Sequence, residues 1–266
     1  MCRVDVVNVG FIGTGVITEA IVVGLLKAEF PINKIVVSPR SEKTAKNLAT
    51  LSPLVCIGKD NQDVVNSSDV IFLAVRPQVA EEVLSPLHFA PGQVLASLIA
   101  TVPISILRAW IGADVHISRA VPLPFVADLN GVTVVHPGSE VLTRIFAALG
   151  AVINCDAIEE FDAFAVAGGM MATYFGICET CAQWLGSAGV PYDKARAYLA
   201  PFFHGLASSA LKRPEKSFES LRVGHTTAGG LNDQLFERFR AEHGVQALTT
   251  ALDDVAKRVG SARGKA

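Results

Sequence analysis

The sequence predicts an α/β fold: a doubly wound parallel sheet in the first half and an all-helical domain after it. Two observations carry that prediction. Up to about residue 154, short apolar runs alternate with stretches of helical periodicity, as in a parallel sheet covered by helices on both faces. Beyond Asp156 no strand signal returns, and every periodic segment reads as helix. The 266 residues are 50% hydrophobic and 18% charged, apolar enough to bury a sizeable core and too apolar for disorder. Two domains fit the length, with the division placed at 1–155 and 156–266.

Taken in order, Val4 to Gly10 reads as a strand buried on both faces, followed by glycines and a helix from Ile17 to Lys27. Lys34 to Ser38 is a second strand, and Ser41 to Leu51 a helix with Ser41 at its cap. Val70 to Val75 is a strand ended by Pro77. Further strands are expected at Val94–Ala100, His116–Ala120, Val132–His136 and Ala151–Asn154. Helices are expected at Glu159–Gly186, Asp193–Leu211, Asn232–His243 and Gln246–Val259, with a polar, frayed tail from Gly260.

Lys and Arg number 23 against 25 Asp and Glu, a net charge of -2, so no strong field for nucleic acid or an anionic membrane is expected. The five cysteines, Cys2, Cys56, Cys155, Cys178 and Cys181, are scattered and odd in number, as suits reduced thiols in a cytoplasmic protein. Cys178 and Cys181 lack a second pair for zinc and sit in an apolar helical stretch, so core packing is the simpler reading and no metal site is expected. The apolar region Val6–Leu26 is interrupted by Asn8, four glycines and Glu19, unlike a spanning helix, and the N-terminus lacks the apolar stretch of a signal peptide. The segment Phe161–Ala172 has almost no polar face. A helix apolar all round must be covered on all sides. A second subunit would supply that cover, which predicts a homodimer through the C-terminal helices; packing on the first domain alone is the alternative.

The most informative stretch is Gly13-x-Gly15-x-x-Thr18, which follows a strand and opens a helix. Gly13 allows the tight turn, Gly15 lets a pyrophosphate approach the backbone, and Thr18 is small enough for helix–strand packing. The helix N-terminus adds N–H groups and positive partial charge. The second strand ends Val37-Ser38-Pro39-Arg40-Ser41 with no carboxylate for a ribose hydroxyl. Arg40, with the hydroxyls of Ser38 and Ser41 and the charge of Lys43, suits a 2′-phosphate instead, so NADP(H) is expected over NAD(H).

These residues resemble the pyrroline-5-carboxylate reductases over nearly the whole chain. Gly10-Phe11-Ile12-Gly13-Thr14-Gly15 looks like that family's F-I-G-x-G opening, continued here by Val16-Ile17. Asn61 matches an Asn near the cofactor ribose. Ala74-Val75-Arg76-Pro77-Gln78 is similar to A-V-K-P-Q, whose backbone lines the nicotinamide side. Pro122–Thr133 keeps the spacing of P-N-T-P…G-V-T, and Thr226–Leu231 resembles T-T-x-x-G-L. The resemblance implies a Rossmann domain, an all-helical dimerisation domain, subunit assembly that reaches larger rings in some members, and NAD(P)H-dependent reduction of a cyclic imine.

The departures fall on the substrate side. M-P-N-T-P reads Val121-Pro122-Leu123-Pro124-Phe125 here. S-G-S-G-P-A-Y reads Met171-Ala172-Thr173-Tyr174-Phe175-Gly176-Ile177, and S-P-G-G-T-T reads Arg222-Val223-Gly224-His225-Thr226-Thr227. An iminium already carries its proton, so its reduction needs hydride and orientation. A neutral carbonyl needs a proton donor as well. His225 is the candidate donor or carboxylate partner, or a loop histidine satisfied by backbone or water. Thr226 and Thr227 are candidates to hold a substrate carboxylate, or to cap the following helix. Tyr174 is a further candidate donor, or a packed aromatic. From Asp156 to Tyr192 there is no Lys, unlike the catalytic Lys of the related β-hydroxyacid dehydrogenases. Three readings stay open: an imine reductase acting on a small carboxylated substrate, a carbonyl reductase with His225 as acid, and a non-catalytic NADP-binding protein.

Overall fold

The structure is a computed structural model and describes residues 6–99 and 101–263. It divides into two compact units. One runs to Ala165 and takes in the chain end from Ala256; the other is Val166–Val255.

The first unit opens with β1 (Val7–Ile12), α1 (Val16–Lys27), β2 (Ile32–Val37), α2 (Glu42–Leu51), β3 (Val55–Ile57), α3 (Asn61–Asn66) and β4 (Val70–Leu73). A short helix α4 (Ala80–Leu84), β5 (Val94–Ser97), α5 (Ile104–Ile111), β6 (His116–Pro122), β7 (Gly131–His136), α6 (Glu140–Ala147) and β8 (Gly150–Asn154) complete the sheet and its cover. Among the described residues the sheet has eight strands, in the order β3-β2-β1-β4-β5-β6-β7-β8. The order reverses between β1 and β4, which is where an open α/β sheet receives a ligand.

Alternation along each strand explains why both faces carry helices. Phe11, Val37 and Phe72 fall in one buried cluster with Ile21, Leu25 and Phe146. Their strand neighbours Ile12, Val36 and Ile71 fall in the other, with Val64, Leu84 and Leu107. Successive side chains point to opposite faces, so a strand apolar throughout needs cover on both. Phe72 is wholly buried. Its ring stacks on Phe11 at 4.8 Å and meets Phe146 edge-on at 5.9 Å.

Several expectations are corrected in detail. β1 runs on to Ile12, where it still pairs with β4 (Ile12 opposite Leu73); Val4 and Asp5, like Cys2, lie outside the described residues. β4 ends at Leu73 and β5 at Ser97, earlier than the apolar runs suggested, because their carboxyl ends leave the sheet as loops; Ala100 lies outside the described residues. β3, with three residues, is too short to show a period, as are the short helices α3 and α4. The sheet is not wholly parallel: β7 runs antiparallel to β6. Only a 3-10 turn, Pro124–Asp128, lies between them, and a parallel return needs a crossover of a dozen or more residues. Ser41 takes the cap position of α2, yet its side chain makes no capping bond.

The chain continues with α7 (Ile158–Gly168), α8 (Met170–Ser187), α9 (Tyr192–Leu211), α10 (Phe218–Gly224), α11 (Leu231–Ala241) and α12 (Gly244–Arg263). The helix expected over 159–186 is thus broken at Gly169, and α10, seven residues long, is too short to show a period in the sequence. The start of α7 belongs to the first unit. Phe161 is buried with Val134 and Cys155, and Arg119 on β6 lies 4.6 Å over the Phe161 ring and 3.4 Å from the Asp162 carboxylate. Burial, then the nearby Glu160 and Asp156, push the Cys155 thiol up, which keeps it protonated.

The second unit hides little of its apolar surface. Ala182, Ala195 and Leu199 form its one buried cluster among the described residues. Phe175, Trp184, Tyr198, Leu211, Phe218 and Leu235 are all exposed. The stretch Ile158–Ser187 is long and apolar enough to cross a membrane by length and composition alone.

Phe72→Ala removes a ring from the centre of the sheet. We expect a loss of about 3–5 kcal/mol, read as an earlier denaturant midpoint for the α/β unit.

Candidate dinucleotide site

The site lies at the carboxyl end of β1, beside the ends of β2 and β4. Gly13 leaves β1 with φ +104°, a conformation open to glycine. A Cβ there would stand 2.5 Å from the Ala74 carbonyl oxygen, so the turn needs glycine for space as well as for torsion. Gly15 is different. Its φ is -102°, and a Cβ would meet nothing within 4 Å. The backbone at Gly15 is therefore open to a ligand's approach, beside the free N–H groups that begin α1.

Hydroxyls hold the turn from behind. Thr18, fully buried, donates to the Gly13 carbonyl at 2.7 Å, which gives a positive reason for threonine where small residues are usual. Thr14 Oγ1 donates to the Ser38 carbonyl at 2.7 Å, and the Gly13 N–H donates to Ser38 Oγ at 2.9 Å. Phe11 and Ile12 are core residues of β1, whereas Val16 stands exposed and Ile17 half-buried at the start of α1.

Arg40 and Ser41 are exposed just past the end of β2. Arg40 makes no ion pair among the described residues; the neighbouring Glu42 is engaged by Lys46 at 2.5 Å. The guanidinium is therefore available to a 2′-phosphate. Ser38 is not placed as expected. It is 1% exposed and its hydroxyl faces the glycine turn, away from solvent. Asn61 opens α3, half-buried, next to the capping Asp60. Ala74 and Val75 are half-buried and Arg76 and Pro77 exposed, in the loop leaving β4. The Ala74 N–H donates to Ile12 O at 2.8 Å, so this loop is tied to the glycine turn. Ser97–Ile99, at the end of β5, reach the same end of the sheet without a motif in the sequence. Ser97 is buried and accepts the Ile99 N–H at 3.3 Å, and the Leu98 N–H bonds Leu73 O. Their position at a strand's carboxyl end was the available signal.

The candidate catalytic residues lie in the helical unit. His225 ends α10, exposed, and its Nδ1–H donates to Leu221 O at 2.8 Å. That bond assigns the tautomer and leaves Nε2 as an acceptor in the neutral ring. Thr226 spends its hydroxyl proton on Arg222 O at 2.7 Å, and Thr227 is exposed with its carbonyl accepting the Gly230 N–H at 2.8 Å. Neither caps α11. Gly230 occupies that position without a side-chain bond, and Asp233 accepts the Gly229 N–H at 3.0 Å. Tyr174 packs edge-on against Phe175 and Phe203, and burial, then the Cys178 thiol, push its phenol up.

The fold and the glycine turn define a dinucleotide-binding α/β protein with a helical second domain. Residues 8–101 match the family described as NADP oxidoreductase, coenzyme F420-dependent, and residues 159–261 that described as pyrroline-5-carboxylate reductase dimerisation. The chain is 28% identical to a pyrroline-5-carboxylate reductase of Haemophilus influenzae, over 92% of this chain and 93% of that protein. It is 26% identical to one of Arabidopsis thaliana, over 94% of each. In fold it is similar to a pyrroline-5-carboxylate reductase of Coxiella burnetii (TM-score 0.86, 24% identity, covering 97% of this chain and 99% of that one). It is also similar to one of Plasmodium falciparum solved with NADP bound (TM-score 0.83, 15% identity, covering 96% and 98%). The chain is thus similar to pyrroline-5-carboxylate reductases over more than nine-tenths of its length.

Two glycine variants separate fold from binding. Gly13→Ala drives a methyl into the Ala74 carbonyl and lowers the melting temperature. Gly15→Ala leaves the melting temperature of the free protein unchanged but abolishes measurable NADPH binding in calorimetry.

Proposed function

We propose that this protein is an NADPH-dependent reductase of the C=N bond in a small carboxylated cyclic imine, with 1-pyrroline-5-carboxylate as the first substrate to test. The observation that carries it is the glycine turn at the sheet's reversal point, with Arg40 where a ribose-binding carboxylate would stand, in a chain similar to the pyrroline-5-carboxylate reductases over most of its length. Curated relatives bearing the reductase name align over more than nine-tenths of the chain.

The open space over Gly15 fits a dinucleotide. Gly13 to Ile17 would hold the pyrophosphate, Arg40 and Ser41 the 2′-phosphate, Asn61 the ribose, and Ala74–Pro77 the nicotinamide side. When bound, the cofactor supplies hydride. The protein's task is then to orient the acceptor, because an iminium brings its own proton and needs no strong general acid. That division of labour fits His225, whose Nδ1–H is committed to Leu221 O. Of the three residues at this turn, Thr227, exposed, remains the candidate to bind the substrate carboxylate; Thr226 has its hydroxyl proton on Arg222 O and its N–H on Val223 O, and the neutral His225 ring presents an acceptor.

The exposed apolar residues of the helices support a homodimer through residues 156–266, with 1–155 as the NADP-binding domain. Surface of this extent on a single copy calls for a partner. A second subunit also covers Ile158–Ser187 without a membrane, and a dimerisation family matches 159–261. The described cysteines are free thiols, which fits a reducing compartment such as the cytoplasm.

Mixing protein, NADPH and pyrroline-5-carboxylate should consume the reduced nicotinamide absorbance; no turnover with any cyclic imine sinks the reading. Arg40→Gln should weaken NADPH by about 10- to 100-fold and leave NADH nearly unaffected. His225→Gln should keep most of the turnover number, whereas a carbonyl reductase using His225 as acid would lose it. Sedimentation should give at least twice the 28.1 kDa chain mass, and Trp184→Asp should shift it toward monomer.

A further inference from the structure

Behind the glycine turn, Thr14 and Ser38 share a closed set of hydrogen bonds. A threonine hydroxyl has one proton, and Thr14 gives it to the Ser38 carbonyl at 2.7 Å. The two hydroxyl oxygens are 3.1 Å apart. With the Thr14 proton committed, Ser38 is the donor in that pair. Ser38 Oγ in turn accepts the Gly13 N–H at 2.9 Å. The Ser38 N–H is fixed too, donating to Phe11 O at 3.0 Å. Thr14 is 2% and Ser38 1% exposed, so solvent cannot readily replace a lost bond.

Phosphate oxygens are acceptors. A serine that binds a 2′-phosphate must therefore offer its hydroxyl proton, and the Ser38 proton is spent inside this ring. We propose that Ser38 is a positioning residue for the dinucleotide and not a ligand of it. Its ring with Thr14 ties the start of the 38–41 segment to the glycine turn and so sets the spacing between the pyrophosphate and 2′-phosphate positions. The inference rests on the dinucleotide reading above. The ring touches the part of the site that serves both coenzymes alike, whereas Arg40, two residues on, serves the phosphorylated one.

The test is calorimetry of NADPH and NADH against wild type, Ser38→Ala, Thr14→Val and their double variant, with melting temperatures of the free proteins. Ser38→Ala and Thr14→Val should each weaken both coenzymes by about five- to tenfold, leaving the NADPH/NADH ratio at its wild-type value. The double variant should be little worse than either single one, because one ring is lost in each case. Thr14→Ser keeps the hydroxyl and should bind as wild type does. Loss of NADPH affinity alone in Ser38→Ala, with a collapsed ratio, overturns the proposal and makes Ser38 a direct ligand. A lower melting temperature with both dissociation constants unchanged overturns it in favour of a purely structural ring. Wild-type protein that binds neither coenzyme removes the dinucleotide reading itself. Should Ser38→Ala fail to fold, the comparison of Thr14→Val with Thr14→Ser decides between the same outcomes.

Discussion

The approach of Gly13 to the carbonyl of Ala74 governs the geometry of the α/β unit's functional end. β1 and β4 are parallel neighbours, and both leave the sheet at the same level. Two backbones must pass each other there with no side chain between them, and Gly13 must turn through a positive φ as it does so. That turn aims α1 back across the sheet, with its N-terminus at the point where strand order reverses. Arg40, Asn61 and Ala74–Pro77 reach the same end because the parallel strands before them, β2, β3 and β4, run to it. The parallel arrangement gathers residues far apart in sequence with no need for long loops.

Packing gives this end its rigidity. The stacked rings of Phe11 and Phe72 sit one residue short of the ends of their strands, so the core reaches close under the turn. Thr18 adds a bond from α1 to the Gly13 carbonyl, and Ser38 adds one from the end of β2 to the Gly13 N–H. Both are buried polar groups with partners, the condition under which a polar group in a core is tolerated. The helical unit obeys a different economy. Its buried cluster is small and many of its large apolar side chains stay exposed; in the homodimer proposed above, association would supply the missing cover.

Much of the site was legible because its chemistry is local. A glycine pattern between a strand and a helix, and an Arg where a carboxylate is usual, need no distant partner to be recognised. The hydroxyls were less legible. Ser38 reads naturally as a surface ligand beside Arg40, yet the end of β2 carries it under the glycine turn. Thr226 and Thr227 precede a helix and read as its caps, yet the cap falls to Gly230, with the Gly229 N–H taken by Asp233. A hydroxyl can bond backwards or forwards along the chain, and burial decides which.

By itself the sequence determined the doubly wound α/β half, the helical half after it and the glycine turn between the first strand and helix, because periodicity and glycine act over a few residues. Tertiary structure alone decided that β7 runs antiparallel, that the start of α7 packs with the sheet through Phe161 and Arg119, and that Ser38 faces inward. Each of those outcomes depends on which surfaces meet, and contacts between residues distant in the chain leave no period for a local pattern to carry.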